Sequence, residues 1–308
     1  MATSVGGSRG ATAPAVPVHR DPVPRPSGSG WRRQLLTRGL WSLSVVGACV
    51  LLLYPFVWLV SASLKPRSQV FDNSLVPNPF APENYVTVWR AAPLVTWMVN
   101  SIVVGLVAAV AVTASSALVA FGFAYFRFRW RGPLFALVLA TMMLPGAVTM
   151  VPTYLIWNRL GLASTQVPLW AGNLFGSAFY IFLLRQFFLT VPRDLFEAAL
   201  IDGASYLRLF RSIALPLAKP ALVIVFVFEL RASWTDLVKP LIYLRDPALY
   251  TIPRGLKAVI DQFGKGGESQ WEVVLAASVL TTLPMIVLFF LGQRHFVEGI
   301  ATTGRGGA

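Results

Sequence analysis

Six stretches of this 308-residue sequence are apolar over lengths that suit a bilayer-crossing helix, and no other feature constrains the fold as strongly. Each residue of a helix rises about 1.5 Å, so about 20 apolar residues are needed to cross the hydrocarbon. The runs cover roughly 40–63, 96–125, 133–156, 168–188, 217–240 and 271–293. Lipid offers no partner to a backbone N–H or C=O, which leaves helices as the solution for runs of this length. The fold class expected is therefore an all-α integral membrane protein with six transmembrane helices. Composition agrees: 56% of residues are hydrophobic and 13% charged, against about 25% charged in soluble domains. The second run is long enough to tilt, and the fourth is interrupted by Asn173 and Arg185.

Residues 1–30 are rich in Gly, Pro, Ser and Ala without apolar periodicity, which predicts a disordered tail. It does not read as a signal peptide, since the first apolar run is too long and no clear cleavage site follows. The transmembrane domain is expected over 31–300 and a short tail over 301–308. The single cysteine, Cys49, excludes an intrachain disulfide. The formal charge of +13 is spread over loops, with no basic run interleaved with aromatics outside them, so nucleic acid is not an expected partner. Basic residues also set orientation. With the N-terminus inside, sixteen of the 26 Lys and Arg fall on the cytoplasmic side and nine outside, with Arg231 left in the fifth run. Both termini are thus expected in the cytoplasm, together with the polar island EAALIDGASYLRLFRSI at 197–213.

The island reads as two short helices joined at Gly203. Pro192 suits a first helical position, and Asp194 and Glu197 put negative charge in the first turn, where the helix dipole favours it. Gly203 can adopt the left-handed conformation that ends a helix. Phe196, Leu200, Leu207 and Phe210 form an apolar stripe. Pro216 lacks a backbone donor and is expected to open the next membrane helix. On this basis alone the island could also be an interfacial helix resting on headgroups.

The spacing of Glu197-Ala198-Ala199, Gly203, Ile213 and Leu215-Pro216 resembles the EAA motif of ABC importer permeases. That resemblance implies a cytoplasmic helix-turn-helix knob, about 192–216, that fits a groove on an ATPase subunit. It implies docking by Glu197, Ala199 and Asp202, a turn at Gly203, and a knob-to-membrane joint at Leu215-Pro216. The likeness runs from about residue 45 to 300 and resembles the carbohydrate branch, the maltose-type permeases, through FGFAYFRFRWRGPLF, MMLPGAVTMVPTYLIWNRLGL, FLLRQFFLTVPRDLFEAALIDGAS, WTDLVKPLIYL with YTIPRGL, and QRHFVEG; the final ATTGRGGA departs from it. It implies the shorter of two paired permease subunits in a bacterial inner membrane. The partners implied are two ATPase copies, a second homologous permease and an extracytoplasmic sugar-binding protein that meets the segments 64–95 and 241–270.

The chain has no GxxxxGK[ST] loop, so nucleotide chemistry would have to come from a separate subunit. No cofactor is expected, and no His/Cys/carboxylate cluster suggests a metal. Charges inside a span are costly and usually functional. The fifth run holds Glu229, Arg231 and Asp236, and on a helix Glu229 and Asp236 share a face with Ser233, while Trp234 lies beside Arg231. A polar face beside an indole suits a sugar, which makes Trp234, Asp236, Asn173 and Glu229 the candidate pathway residues. A Glu229–Arg231 ion pair that merely joins helices is the alternative. Glycerol phosphate is an alternative cargo. A secondary transporter using the intramembrane acids is another class, and an intramembrane enzyme lacks an assembled nucleophile and base.

Overall fold

A computed structural model of the chain describes residues 30–265 and 269–303, with side chains placed over 38–265, 269–287 and at Phe290. The expected disordered tail, to residue 29, and residues 304–308 lie outside the described residues. The described residues are helical, without strands. Two units divide between Pro55 and Phe56. The first contains most of α1 (Gly30–Ser63), whose residues from Arg38 to Val57 are exposed on every side. A helix apolar all round and unburied is suited to lipid.

In the second unit the elements are α2 (Glu83–Ala91), α3 (Leu94–Tyr125), α4 (Arg131–Thr141), α5 (Gly146–Arg159), α6 (Val167–Trp170) and α7 (Ala178–Thr190). Then come α8 (Asp194–Ile201), α9 (Tyr206–Leu209), α10 (Leu215–Leu217), α11 (Lys219–Thr235), α12 (Val238–Tyr243), α13 (Ile252–Phe263) and α14 (Trp271–Thr303). Three helical segments are long and apolar enough to cross a membrane: Arg38–Ser63, Leu94–Tyr125 and Val167–Thr190. Two bent pairs raise the number to five, Arg131–Thr141 with Gly146–Arg159 at 95° and Tyr206–Leu217 with Lys219–Thr235 at 78°. The sixth apolar run lies in α14, whose described apolar part is Trp271–Val287.

The runs are more broken than their hydropathy suggests. Pro145 sits at the start of α5 in an extended conformation and splits the third run. In the fourth run Gly176, with φ of 79°, separates a 3-10 turn at Ala171–Phe175 from α7. The fifth run begins at Lys219 with Pro220 in its first turn, not at Pro216, and it stops at Asp236 before α12 resumes. A proline at 220 leaves no donor to waste, because first-turn amides have no intrahelical acceptor.

α3 is the spine. Its buried side is a ladder of Ser101, Gly105, Ala108, Val112, Ser116, Ala120 and Ala124, small residues that let neighbouring backbones come close. α7 and α11 fill that face. A Cβ on Gly105 would stand 2.9 Å from Leu230 Cδ1. One apolar core surrounds the first half of α3 with Trp97, Val104, Trp234, Tyr243, Ile252 and Val259; the other surrounds its second half with Phe121, Leu184, Phe188, Phe196 and Val225.

The segments 64–95 and 241–270 carry helices of their own, α2 and α13. The first turns of α3 stitch the approach to α13: Trp97 Nε1 donates to Pro247 O (2.9 Å), and Asn100 Nδ2 to Ala248 O and Tyr250 O (2.8 and 3.0 Å). On α13, Lys257 and Lys265 hydrogen-bond the exposed Asp261 carboxyl and lower its pKa to about 2. A Cβ on Gly255 would fall 2.0 Å from the Trp97 ring. Gly255→Ala is therefore expected to destabilise the full-length chain by about 1–3 kcal/mol, the usual cost of overpacking, seen as a lower melting temperature. Gly122→Ala, which meets open space, should leave it unchanged.

Candidate functional site: a polar cavity and an exposed knob

Glu229, Ser233 and Asp236 recur on α11 and its end at intervals of four and three, and together they form one wall of a cavity of about 170 Å³. Val104, Leu169, Lys239 and Thr251 help close it. Trp234 follows Ser233 by about 100° around the helix, and that turn carries it with Leu230 into the apolar core instead. Arg231 is exposed, and no Glu229–Arg231 ion pair occurs. The Glu229 carboxylate accepts from Asn173 Nδ2 at 2.6 Å, with the Tyr180 hydroxyl beside it. Asn173 Nδ2 also reaches Ala108 O (3.2 Å), and Ser115 Oγ donates to Asn173 O (2.9 Å).

Asn173 and Asp236 also border a larger adjoining cavity of about 570 Å³, where α5 faces α12. Its walls include Thr149, Thr153, Trp157 and Tyr243. The sequence reading missed these groups, although Thr149, Thr153 and Trp157 stand at a four-residue interval that puts them on one face. Tyr154, between them in sequence, stacks on Tyr243 with ring centres 5.9 Å apart. Asp236 Oδ1 accepts from the amides of Val238 and Lys239 (3.0 and 3.2 Å), so it starts α12, and its Oδ2 pairs with Lys239 at 3.6 Å. Thr251 also went unnoticed, since loop residues carry no periodicity.

The second feature is the segment from Asp194 to Leu217. α8 ends in a paired-bond cap: Ala204 N donates to Ala199 O (2.9 Å), Gly203 N to Leu200 O (3.0 Å), and Gly203 has φ of 80°. Ser205 Oγ then accepts from Arg208 N to start α9. Residues Phe210–Ala214 widen into a π turn, in which Leu215 N donates to Phe210 O. The wide turn relieves the clash that the ring of Pro216 would make with the carbonyl four residues back. Pro216 thus lies inside α10, ahead of the bend at Ala218.

The inner side of this segment rests on aromatic rings at the end of α3. Phe196 lies 5.2 Å from Tyr125, Phe210 lies 5.3 Å from Phe121, and Tyr206 lies 5.2 Å from Phe126. Of the expected stripe Phe196, Leu200, Leu207 and Phe210, Leu207 is exposed and Leu209 is buried in its place. The turn at Gly203 resets the helical phase. Ala199, Ile213 and Leu215 are half-buried, while Glu197, Ala198, Asp202, Gly203 and Pro216 are exposed. Ile201 is 86% exposed, and Leu195, Tyr206 and Leu207 join it in an apolar outer face.

Residues 101–302 match the family of binding-protein-dependent transport system inner membrane components. The chain belongs to this family. Among curated relatives it is 34% identical over 254 residues to the probable ABC transporter permease protein YurM of Bacillus subtilis, covering 81% of this chain and 82% of the relative. It is 36% identical over 276 residues to the sn-glycerol-3-phosphate transport system permease protein UgpE of Salmonella typhi, covering 87% and 97%. A bacterial ABC transporter involved in import of the acidic polysaccharide alginate has the same fold, with a TM-score of 0.74 at 22% identity over 89% of this chain and all of that one. The protein is accordingly an inner-membrane permease of an ABC importer, a transport component and not an enzyme.

An L-residue at the Gly203 dihedral costs about 1–2 kcal/mol. Gly203→Ala is expected to speed amide hydrogen exchange through 199–209 in the full-length chain, and Gly203→Asn, which tolerates that conformation, to speed it less.

Proposed function

We propose that this permease carries a sugar, a mono- or oligosaccharide, into the bacterial cytoplasm by ATP-driven alternating access. The observation that carries the reading is the 570 Å³ cavity, whose Trp157 and Tyr243 rings stand among Thr149, Thr153, Asn173 and Asp236. Sugars present C–H faces to aromatic rings and hydroxyls to side chains that both donate and accept. Glycerol phosphate is the second reading, favoured by the likeness to UgpE.

The topology proposed is six spans with both termini in the cytoplasm, and a cytoplasmic knob over 192–216. Glu197, Ala198, Ala199 and Asp202 dock a nucleotide-hydrolysing subunit, Gly203 makes the turn, and Ile213, Leu215 and Pro216 form the joint to the membrane. The exposed apolar residues around Ile201 support this, since they give an ATPase groove something to bury. Two ATPase copies, a second homologous permease and an extracytoplasmic sugar-binding protein complete the assembly. The alginate transporter solved with a pentasaccharide-bound periplasmic protein supports the last partner. α4 and α5 bury none of their side chains, which supports a second permease against them.

The test uses tagged full-length chain expressed in its own cells. An ATP-hydrolysing subunit should co-purify with it, and Glu197→Arg or Ile201→Asp should cut recovery on the order of tenfold or more, as expected for an interface hot spot. The amount of chain in the membrane should not change. Full recovery of the ATPase with both variants would refute the coupling role.

A further inference from the structure

The charged groups bordering the two cavities are Glu229, Asp236 and Lys239. Asp236 is committed: it pairs with Lys239 and caps α12 through two backbone amides. Glu229 has no cation within ion-pair distance among the described residues, and the groups that hold it, Asn173 and Tyr180, are neutral. The lining thus carries one uncompensated negative charge. Across the smaller cavity stands Thr251, only 2% exposed, whose hydroxyl is buried without a hydrogen-bond partner. Thr251 occupies the cap position of α13 without its hydroxyl capping it, and Ser101 Oγ on α3 takes the Ile252 amide at 2.7 Å. An unpaired hydroxyl opposite an acceptor-only carboxylate suits a ligand group that both donates and accepts, which is a neutral hydroxyl. A phosphate or carboxylate would meet Glu229 at low dielectric, where like charges repel strongly.

We infer that Glu229 makes this pathway selective by charge, passing neutral polyhydroxy solutes and rejecting phosphate esters and uronates. The inference rests on the reading of these cavities as the substrate pathway. It separates this chain from transporters of the kinds named for its glycerol-phosphate and alginate relatives.

The experiment needs no knowledge of the cargo. In full-length chain carrying Cys49→Ser, expressed in its own cells with its native partners, Ser233→Cys is reacted with neutral hydroxyethyl, cationic trimethylammonium and anionic sulfonate methanethiosulfonates. Rates are normalised to those of a free thiol in solution. The neutral reagent should react roughly tenfold or more faster than the anionic one, the scale on which a charged cleft alters local concentration. Glu229→Gln, which still accepts from Asn173, should bring the two rates within about twofold of one another. Equal rates with Glu229 present, or a difference that persists in Glu229→Gln, would overturn the charge selectivity. If no reagent reaches Ser233→Cys while the exposed Ser68→Cys reacts, the cavity is not a solute path, and the reading beneath the inference fails instead. Should Glu229→Gln not reach the membrane, Lys239→Gln takes its place: it removes the cation beside Asp236 and should widen the ratio severalfold, and an unchanged ratio counts against the inference.

Discussion

Every break in a membrane helix frees backbone amides and carbonyls, and lipid offers them nothing. This chain has several such breaks, and at two of them polar side chains take up the freed backbone groups. At the break before α7, Ser115 Oγ donates to Asn173 O, and Ser116 Oγ accepts from Ser177 N at 3.1 Å. At the break after α11, the Asp236 carboxylate takes two free amides of α12. The same two breaks furnish Asn173 and Asp236 to the cavity walls. Irregular backbone is tolerated at membrane depth where it is buried in protein or lines a cavity, so the helix interruptions and the polar cavity are one feature.

Asn173 is the knot of this arrangement. Its amide reaches α3 at Ala108 and α11 at Glu229, while its own carbonyl is held by Ser115. One side chain from a 3-10 turn thereby ties the fourth run to both helices that flank it. Such interhelical hydrogen bonds in membranes contribute about 0.6–2 kcal/mol each, modest singly but directional where the small-residue packing of α3 is not. The stripe of Ala, Gly and Ser on α3 permits close approach without fixing a register, and the Asn173 network fixes one.

Helical periodicity carried the sequence reading as far as the helices stay regular. It put Glu229, Ser233 and Asp236 on one face, and they line one cavity wall. It failed at Leu207, because the left-handed turn at Gly203 shifts the phase and buries Leu209. It failed at Trp234 because neighbourhood to Arg231 along one helix says nothing about which side faces the core. Pro216 and Pro220 look equally fit to start a helix in sequence; the π turn before Pro216 lets the earlier one be absorbed. Trp157 and Thr251 escaped notice since their relation to Asn173 and Glu229 exists only once α5 and the start of α13 fold against α6 and α11. The turn at Gly203 was legible because its requirement, a positive φ, is local.

The exposed knob and the cavity are joined by two mechanical routes. α11 follows α10 after the bend at Ala218, and both Ala214 and Ala218 are fully buried, so that elbow is packed rather than hinged. The second route is α3, whose terminal rings Phe121 and Tyr125 bear on Phe196 and Phe210, while its Val104 walls the cavity. Close-packed interiors transmit displacement because they compress little. The exposed segment is thus continuous with the cavity wall through the α11 backbone and through the α3 rings together. Glu229 sits on the first of these helices and is tied by Asn173 to the second, so the two cannot shift relative to one another without straining the hydrogen bond that holds the cavity's uncompensated charge.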